Sequence, residues 1–147
     1  MKKPFVIAWI GFFILLVSGL SYAAEPSVIG VWSVPGIKDS EKNKEKWQLE
    51  IYEKDGAIEG KYVKLSTLPQ DAVCKTCKKE REGQPLLGMV IVYDTKRQAK
   101  NVYKGKVYDV ENGKSYSCTI SLRKPDVLEV EACILFICSS HYWTRLK

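Results

Sequence analysis

Two cysteine pairs supply the clearest chemical spacing in this chain. Cys74 and Cys77 form a CxxC motif beside Lys75, Lys78 and Lys79, and neighbouring cations favour the thiolate form that a redox dithiol needs. Redox motifs of this type open a helix within a βαβ unit, and no such pattern surrounds this one. The spacing therefore favours a Cys74–Cys77 disulfide over a redox centre. Cys133 and Cys138 flank Ile134-Leu135-Phe136-Ile137, where a bridge would staple a hairpin. The same four thiols, with His141 as an alternative ligand, also make a tetrahedral zinc set. An oxidising compartment weighs against zinc and for two disulfides.

The remaining chemistry is sparse. His141 is the single histidine, and the chain contains no Gly-x-Ser-x-Gly, no His-Glu-x-x-His and no glycine-rich phosphate loop. Hydrolase chemistry has little support, no cofactor is called for, and a non-enzymatic protein is expected. Asp109 and Glu111 are close carboxylates, but they flank Asn112-Gly113, where acidic residues serve turns and solubility.

The elements that must position these residues are strands. Trp47, Leu49 and Ile51 alternate with polar neighbours, and Lys54-Asp55-Gly56 provides a turn before Ile58 to Leu65. An apolar stretch from Leu86 to Tyr93 leads, after a polar break, to Asn101–Val110. Asn112-Gly113 then predicts a tight hairpin, because both residues accept positive φ. In Ser115–Leu122, the residues Tyr116, Cys118, Ile120 and Leu122 share one face. After Arg123-Lys124-Pro125-Asp126, Leu128, Val130 and Ala132 continue that face while Glu129 and Glu131 point away. This fixes a register: Leu122 opposite Leu128, Ile120 opposite Val130 and Cys118 opposite Ala132, since a slip of one residue would bury the glutamates. Cys118 is then a buried free thiol behaving as a small hydrophobe. Cys133 has the parity of the glutamates and is a poor partner for it. With a last strand at His141–Leu146, about eight strands make an all-β antiparallel barrel or sandwich. No helix is expected after residue 24. The irregular stretch from Ser66 to Pro85 is expected to be a solvated crossover held by the CxxC disulfide, with a binding loop as the alternative.

The chain has 147 residues. Lys2 and Lys3 precede an apolar run from Phe5 to Val17, and Ser21-Tyr22-Ala23-Ala24 puts small residues where a signal peptidase needs them. Cleavage after Ala23 or Ala24 is expected, leaving residues 25–147 as one domain in the periplasm or outside the cell. An uncleaved anchor is the alternative, as Phe5 to Ala24 approaches the roughly 20 residues of a bilayer span. Losing Lys2 and Lys3 takes the formal charge from +6 to +4. Lysines interleave with acids, as in Ser40 to Lys54, which describes a solvated surface and argues against nucleic acid as a partner.

Several motifs occur in a recognisable order: Gly30-Val31-Trp32, Glu50-Ile51-Tyr52 with Asp55-Gly56 and Gly60, Pro85-Leu86-Leu87-Gly88, Tyr103 to Asp109, Asn112-Gly113-Lys114, Tyr116 and Trp143-Thr144-Arg145. Together the sequence resembles the exported bacterial family catalogued as domain of unknown function 2147. It departs from the usual family residues at Tyr103, Val110 and Glu131-Ala132. The resemblance implies a small lipocalin-like barrel without an established activity. In such barrels a first-strand Trp is covered by a last-strand Arg, so Trp32 and Arg145 are expected to close one end structurally. The other end is expected to admit a small apolar ligand, or an amphipathic one with an acidic head, given the basic Cys74–Arg81 segment. An envelope protein that binds partners through the Ser66–Pro85 loop, with a filled barrel, is the competing expectation.

Overall fold

The computed structural model describes residues 24–35, 46–66 and 68–147. The expected export segment therefore lies outside the described residues except for Ala24. Eight strands form a closed antiparallel barrel in simple up-and-down order: β1 (Gly30–Pro35), β2 (Lys46–Lys54), β3 (Ala57–Lys64), β4 (Val90–Ala99), β5 (Val102–Asp109), β6 (Lys114–Lys124), β7 (Val127–Ile134) and β8 (Ile137–Arg145). Closure by β1 against β8 removes the open edges that a flat sheet would expose.

The two-residue period decides the faces. Trp32 and Val34 of β1, Trp47, Leu49 and Ile51 of β2, and Ile58 and Tyr62 of β3 are all buried. Trp47 meets Tyr62 edge to face at 5.0 Å. Leu122 pairs with Leu128, Ile120 with Val130 and Cys118 with Ala132, the register that keeps Glu131 and Glu129 on the outer face.

Three stretches differ from the sequence reading. Leu86–Met89 precedes β4 rather than beginning it, because Gly88 takes a φ of 82° and turns the chain there. Asn112-Gly113 does not form a two-residue turn: the loop spans residues 110–113, and among its described residues only Gly113 has positive φ. The Asp109 carboxylate organises it by accepting from the Glu111 amide at 2.9 Å and the Asn112 side-chain amide at 2.6 Å, which makes Asp109 a turn residue. Finally, β8 begins at Ile137, so β7 and β8 join through Leu135 and Phe136 alone. The apolar run between the cysteines hid this boundary, since all four residues suit either strand or core.

The stretch from Ser66 to Pro85 is the expected crossover, a mostly exposed flap held by the Cys74–Cys77 bridge, and it also packs onto the barrel at a few side chains. Cys74, Cys77 and Leu86 are buried in the main apolar cluster, with Leu68 and Ala72 packed on it. A single 3-10 turn, Lys79–Arg81, interrupts the flap. Arg81 pins it to the barrel's outer face: its guanidinium lies 4.7 Å from the Tyr93 ring and 4.5 Å from the Tyr108 ring and donates to the Val90 carbonyl at 3.3 Å. The Lys78 amide donates to the Tyr108 hydroxyl at 3.1 Å, and the Thr76 hydroxyl donates to the Val110 carbonyl. Cation–π stacking and donors that each find an acceptor explain why a segment rich in lysine still packs.

Candidate ligand site at the barrel mouth

The two ends of the barrel are built differently. At the lower end, where β1 starts and β8 finishes, Arg145 lies directly opposite Trp32 in the ladder, with its guanidinium 4.2 Å from the indole centroid. Nε donates to the Pro125 carbonyl at 2.7 Å, Nη1 to the Ile29 carbonyl at 2.8 Å, and Nη2 to the Ser27 carbonyl. The indole N–H donates to the Val28 carbonyl at 2.9 Å. Gly30, at φ 144°, makes room: a Cβ there would stand 2.4 Å from Nη1 of Arg145. A planar fork with several fixed donors fits this cluster of carbonyls, where a lysine would satisfy one.

Ladder rows show how the interior changes toward the upper end. Leu128 faces Trp143, Val130 faces His141 and Ala132 faces Ser139 across β7 and β8. Across β5 and β6, Tyr103 pairs with Ile120, Gly105 with Cys118 and Val107 with Tyr116. Below, the wall is dry: Leu128, Ile120, Val130 and Cys118 are 0, 1, 2 and 5 % exposed. Above, Val107, Tyr116 and Ala132 are half-buried, and His141 and Ser139 are exposed. A hollow wide enough for a ligand in the lower barrel would have left its lining residues accessible to water. The accessible inner surface begins at His141 and Tyr116. On its β1 side, β8 has described partners only at Arg145 and Thr144, so the wall above Thr144 is bordered by no described strand there.

The cysteines fall into three environments. Cys74 and Cys77 are bonded to each other, as are Cys133 and Cys138, and Cys118 is free and buried. Both pairs being bridged, the thiolates that the zinc alternative requires are consumed. Glu131 lies beside Cys133 and Cys138, but those sulfurs are committed to the bridge. The CxxC sulfurs sit beneath the flap, with Cys74 1 % and Cys77 3 % exposed, and thiol–disulfide exchange requires access to a sulfur. Burial pushes the Cys118 thiol up to about 12, partly opposed by a backbone hydrogen bond from Gly105. Iodoacetamide at mildly alkaline pH should therefore leave Cys118 unmodified until the chain unfolds. Under a mild reductant, the Cys133–Cys138 bridge, half-buried at Cys133 and exposed at Cys138, should open before Cys74–Cys77. Peptide mapping that found the order reversed, or Cys118 alkylated in the folded protein, would contradict this account.

The alternation put Tyr116 and Ile120 on one inward face, and Tyr62 and Met89 also point into the barrel or its cover. Tyr62, Met89 and Ile120 are buried, whereas Tyr116 reaches the accessible rim. His141 and Ser139 were missed as mouth residues. Extending the Leu128, Val130 and Ala132 face across a two-residue hairpin would have found them, had the start of β8 been legible.

No curated protein matches this chain. Among solved structures, the chain is similar to protein HP1028 from the human pathogen Helicobacter pylori, described as belonging to the lipocalin family. The two are 18% identical, with a TM-score of 0.69 over 82% of this chain and 84% of that one. At that identity the likeness shows the fold, a lipocalin-like barrel. The model of a family described as an uncharacterized protein conserved in bacteria matches residues 30–145, and with nearly the whole barrel covered, this chain belongs to that family, DUF2147.

Proposed function

We propose that the protein is a non-enzymatic binding barrel of the bacterial envelope, exported by cleavage after Ala23 or Ala24, whose mouth takes a small apolar ligand or an amphipath with an acidic head. The observation that carries this reading is the change along the inner wall, from dry at Ile120, Val130 and Leu128 to accessible at Tyr116, Ala132, Ser139 and His141. A mouth of aliphatic and tyrosine surface with a few polar groups fits an apolar body and orients it through a small number of hydrogen bonds. Exposed Lys75, Lys78, Lys79 and Lys114 at the same end favour an acidic head over a cationic one. The ligand enters the upper rim only, because the lower barrel is occupied by its own side chains.

A redox role for Cys74 and Cys77 is the weaker reading, given the burial of both sulfurs. The test is titration of the intrinsic fluorescence of Trp32, Trp47 and Trp143 with a long-chain fatty acid and with a neutral apolar compound. A saturable response, stronger for the acid and lost in Ala132→Phe while melting is unchanged, is expected. A flat response to both compounds would sink the binding reading and leave the envelope-interaction alternative ahead.

A further inference from the structure

The β7–β8 hairpin ends in a feature that neither the fold nor the mouth uses. Ile134, Leu135, Phe136 and Ile137 are 59, 85, 92 and 77 % exposed. In a chain that is 27% charged, residues 132–140 contain no charged residue at all. The tip stands clear of its neighbours: β6 pairs with β7 only as far as Ser117 and Cys133, while β7 and β8 continue together to Ile134 and Ile137. The Cys133–Cys138 bridge fastens the base of this projection.

The turn itself is chosen against local preference. Leu135 has a φ of 55°, a conformation that glycine or asparagine adopts readily and a branched aliphatic residue does not. Strain of this kind persists where the surroundings over-determine it, and here the disulfide and the ladder hold the turn. A sequence needing only a turn would place Asn or Gly there; this one presents Leu and Phe to solvent.

We propose that this stapled tip is a peripheral anchor that inserts into the headgroup and upper acyl region of an anionic phospholipid surface. Four side chains are too few for a stable protein interface, which takes about 800 Å² and 20–30 residues from each partner. They suffice for shallow lipid insertion, where apolar burial and attraction to acidic lipids act together. The backbone pairing of Ile134 with Ile137 carries polar groups into the interface already satisfied. Lys75, Lys78, Lys79 and Lys114 lie at the same end, exposed and without ion pairs among the described residues. Asp71, Glu80, Glu82 and Glu111, all exposed on that end, dilute this charge, so the apolar tip is the principal contact and the lysines only bias lipid preference. This anchor is independent of the ligand reading, since the tip lies beyond the inner wall.

The test uses the protein recovered from its own compartment and vesicles of mixed phosphatidylglycerol and phosphatidylethanolamine, against phosphatidylcholine alone. The protein should float with the anionic vesicles, less with the neutral ones, and less as salt rises. Leu135→Asn with Phe136→Ser suits the turn better than the native pair, so the fold is retained. Its partitioning should fall by roughly tenfold or more, because burial of either side chain is worth about a decade. A Phe136→Trp reporter should shift its emission to the blue on the anionic vesicles. Failure of the native protein to float, flotation unchanged in the double variant, or a concentration-dependent dimer abolished by that variant would overturn the proposal, the last by assigning the tip to a second copy.

Discussion

Replacing Arg145 with Ala is expected to lower stability by about 2–4 kcal/mol, the cost typical of removing a charge-assisted donor from several acceptors at once. The guanidinium joins three separate stretches at the lower end: the carbonyls of Ser27 and Ile29 before β1, Pro125 in the β6–β7 turn, and the indole of Trp32. Burial pulls the guanidinium below its ordinary pKa, with Asp126 opposing, yet arginine remains charged throughout the accessible range. Without it, the carbonyls nearest the surface regain water, whereas Trp32 loses its cover and the segment before β1 loses its tie. Arg145→Lys should recover little, since one ammonium cannot span those acceptors. Gly30→Ala should be costly in the native background and stay costly on Arg145→Ala, because the added Cβ would lie 2.6 Å from the Lys147 carbonyl oxygen as well as 2.4 Å from Nη1 of Arg145, at a φ of 144°. Urea and thermal unfolding of the native protein and these four variants measure this, with a drop of roughly 10 °C or more expected for Arg145→Ala. Melting within a degree or two of the native protein would remove the closure argument. The ligand binding proposed for the upper end should be unaffected in whatever fraction remains folded.

Most of the barrel was legible because its signal is local. Alternation in Ser115–Leu122 and Leu128–Ala132, with two glutamates that cannot turn inward, leaves one register open, and that register is the one found. What sequence could not show depended on long-range packing. The flap from Ser66 to Pro85 reads as solvated because it is rich in lysine, and most of it is exposed; what stayed hidden is that Arg81 holds it against Tyr93 and Tyr108, 12 and 27 residues further along the chain. The mouth was hidden for a related reason. Tyr116 and Ile120 have the same parity and similar chemistry, and only their height in the closed barrel makes one half-exposed and the other core. His141 could be placed only once the two-residue turn at Leu135 and Phe136 fixed the phase of β8, and a four-residue apolar run carries no mark of where a turn falls.

The bulge in β4 is the second place where one side chain should dominate stability. Asp94 takes a φ of 50°, and the β4–β5 register shifts between Tyr93 and Lys96, so β4 bends away from β3 below their paired residues Gly60 and Val92. At that level the Ile58 backbone finds no strand partner on β4 among the described ladder pairs. The Thr95 hydroxyl takes the place of one, accepting from the Ile58 amide at 2.8 Å and donating to the Ile58 carbonyl at 2.6 Å, both bonds buried. A hydroxyl can do both at once. Gly105 on β5 admits the bulge, since a Cβ there would lie 2.8 Å from the Thr95 Cα. Thr95→Val keeps the shape and removes both bonds, leaving a buried donor and a buried acceptor unpaired at roughly 1–3 kcal/mol each. The expected loss is about 2–6 kcal/mol, with Thr95→Ser, which keeps the hydroxyl, costing about 1 kcal/mol for its missing methyl. Hydrogen exchange adds a local readout: the Ile58 amide should lose protection in the valine variant and keep it in the serine variant. If serine proved as damaging as valine, methyl packing rather than hydrogen bonding would be holding β3 to β4. If Ile58 stayed protected in Thr95→Val, the hydroxyl would not be the group that seals the barrel where its ladder is interrupted.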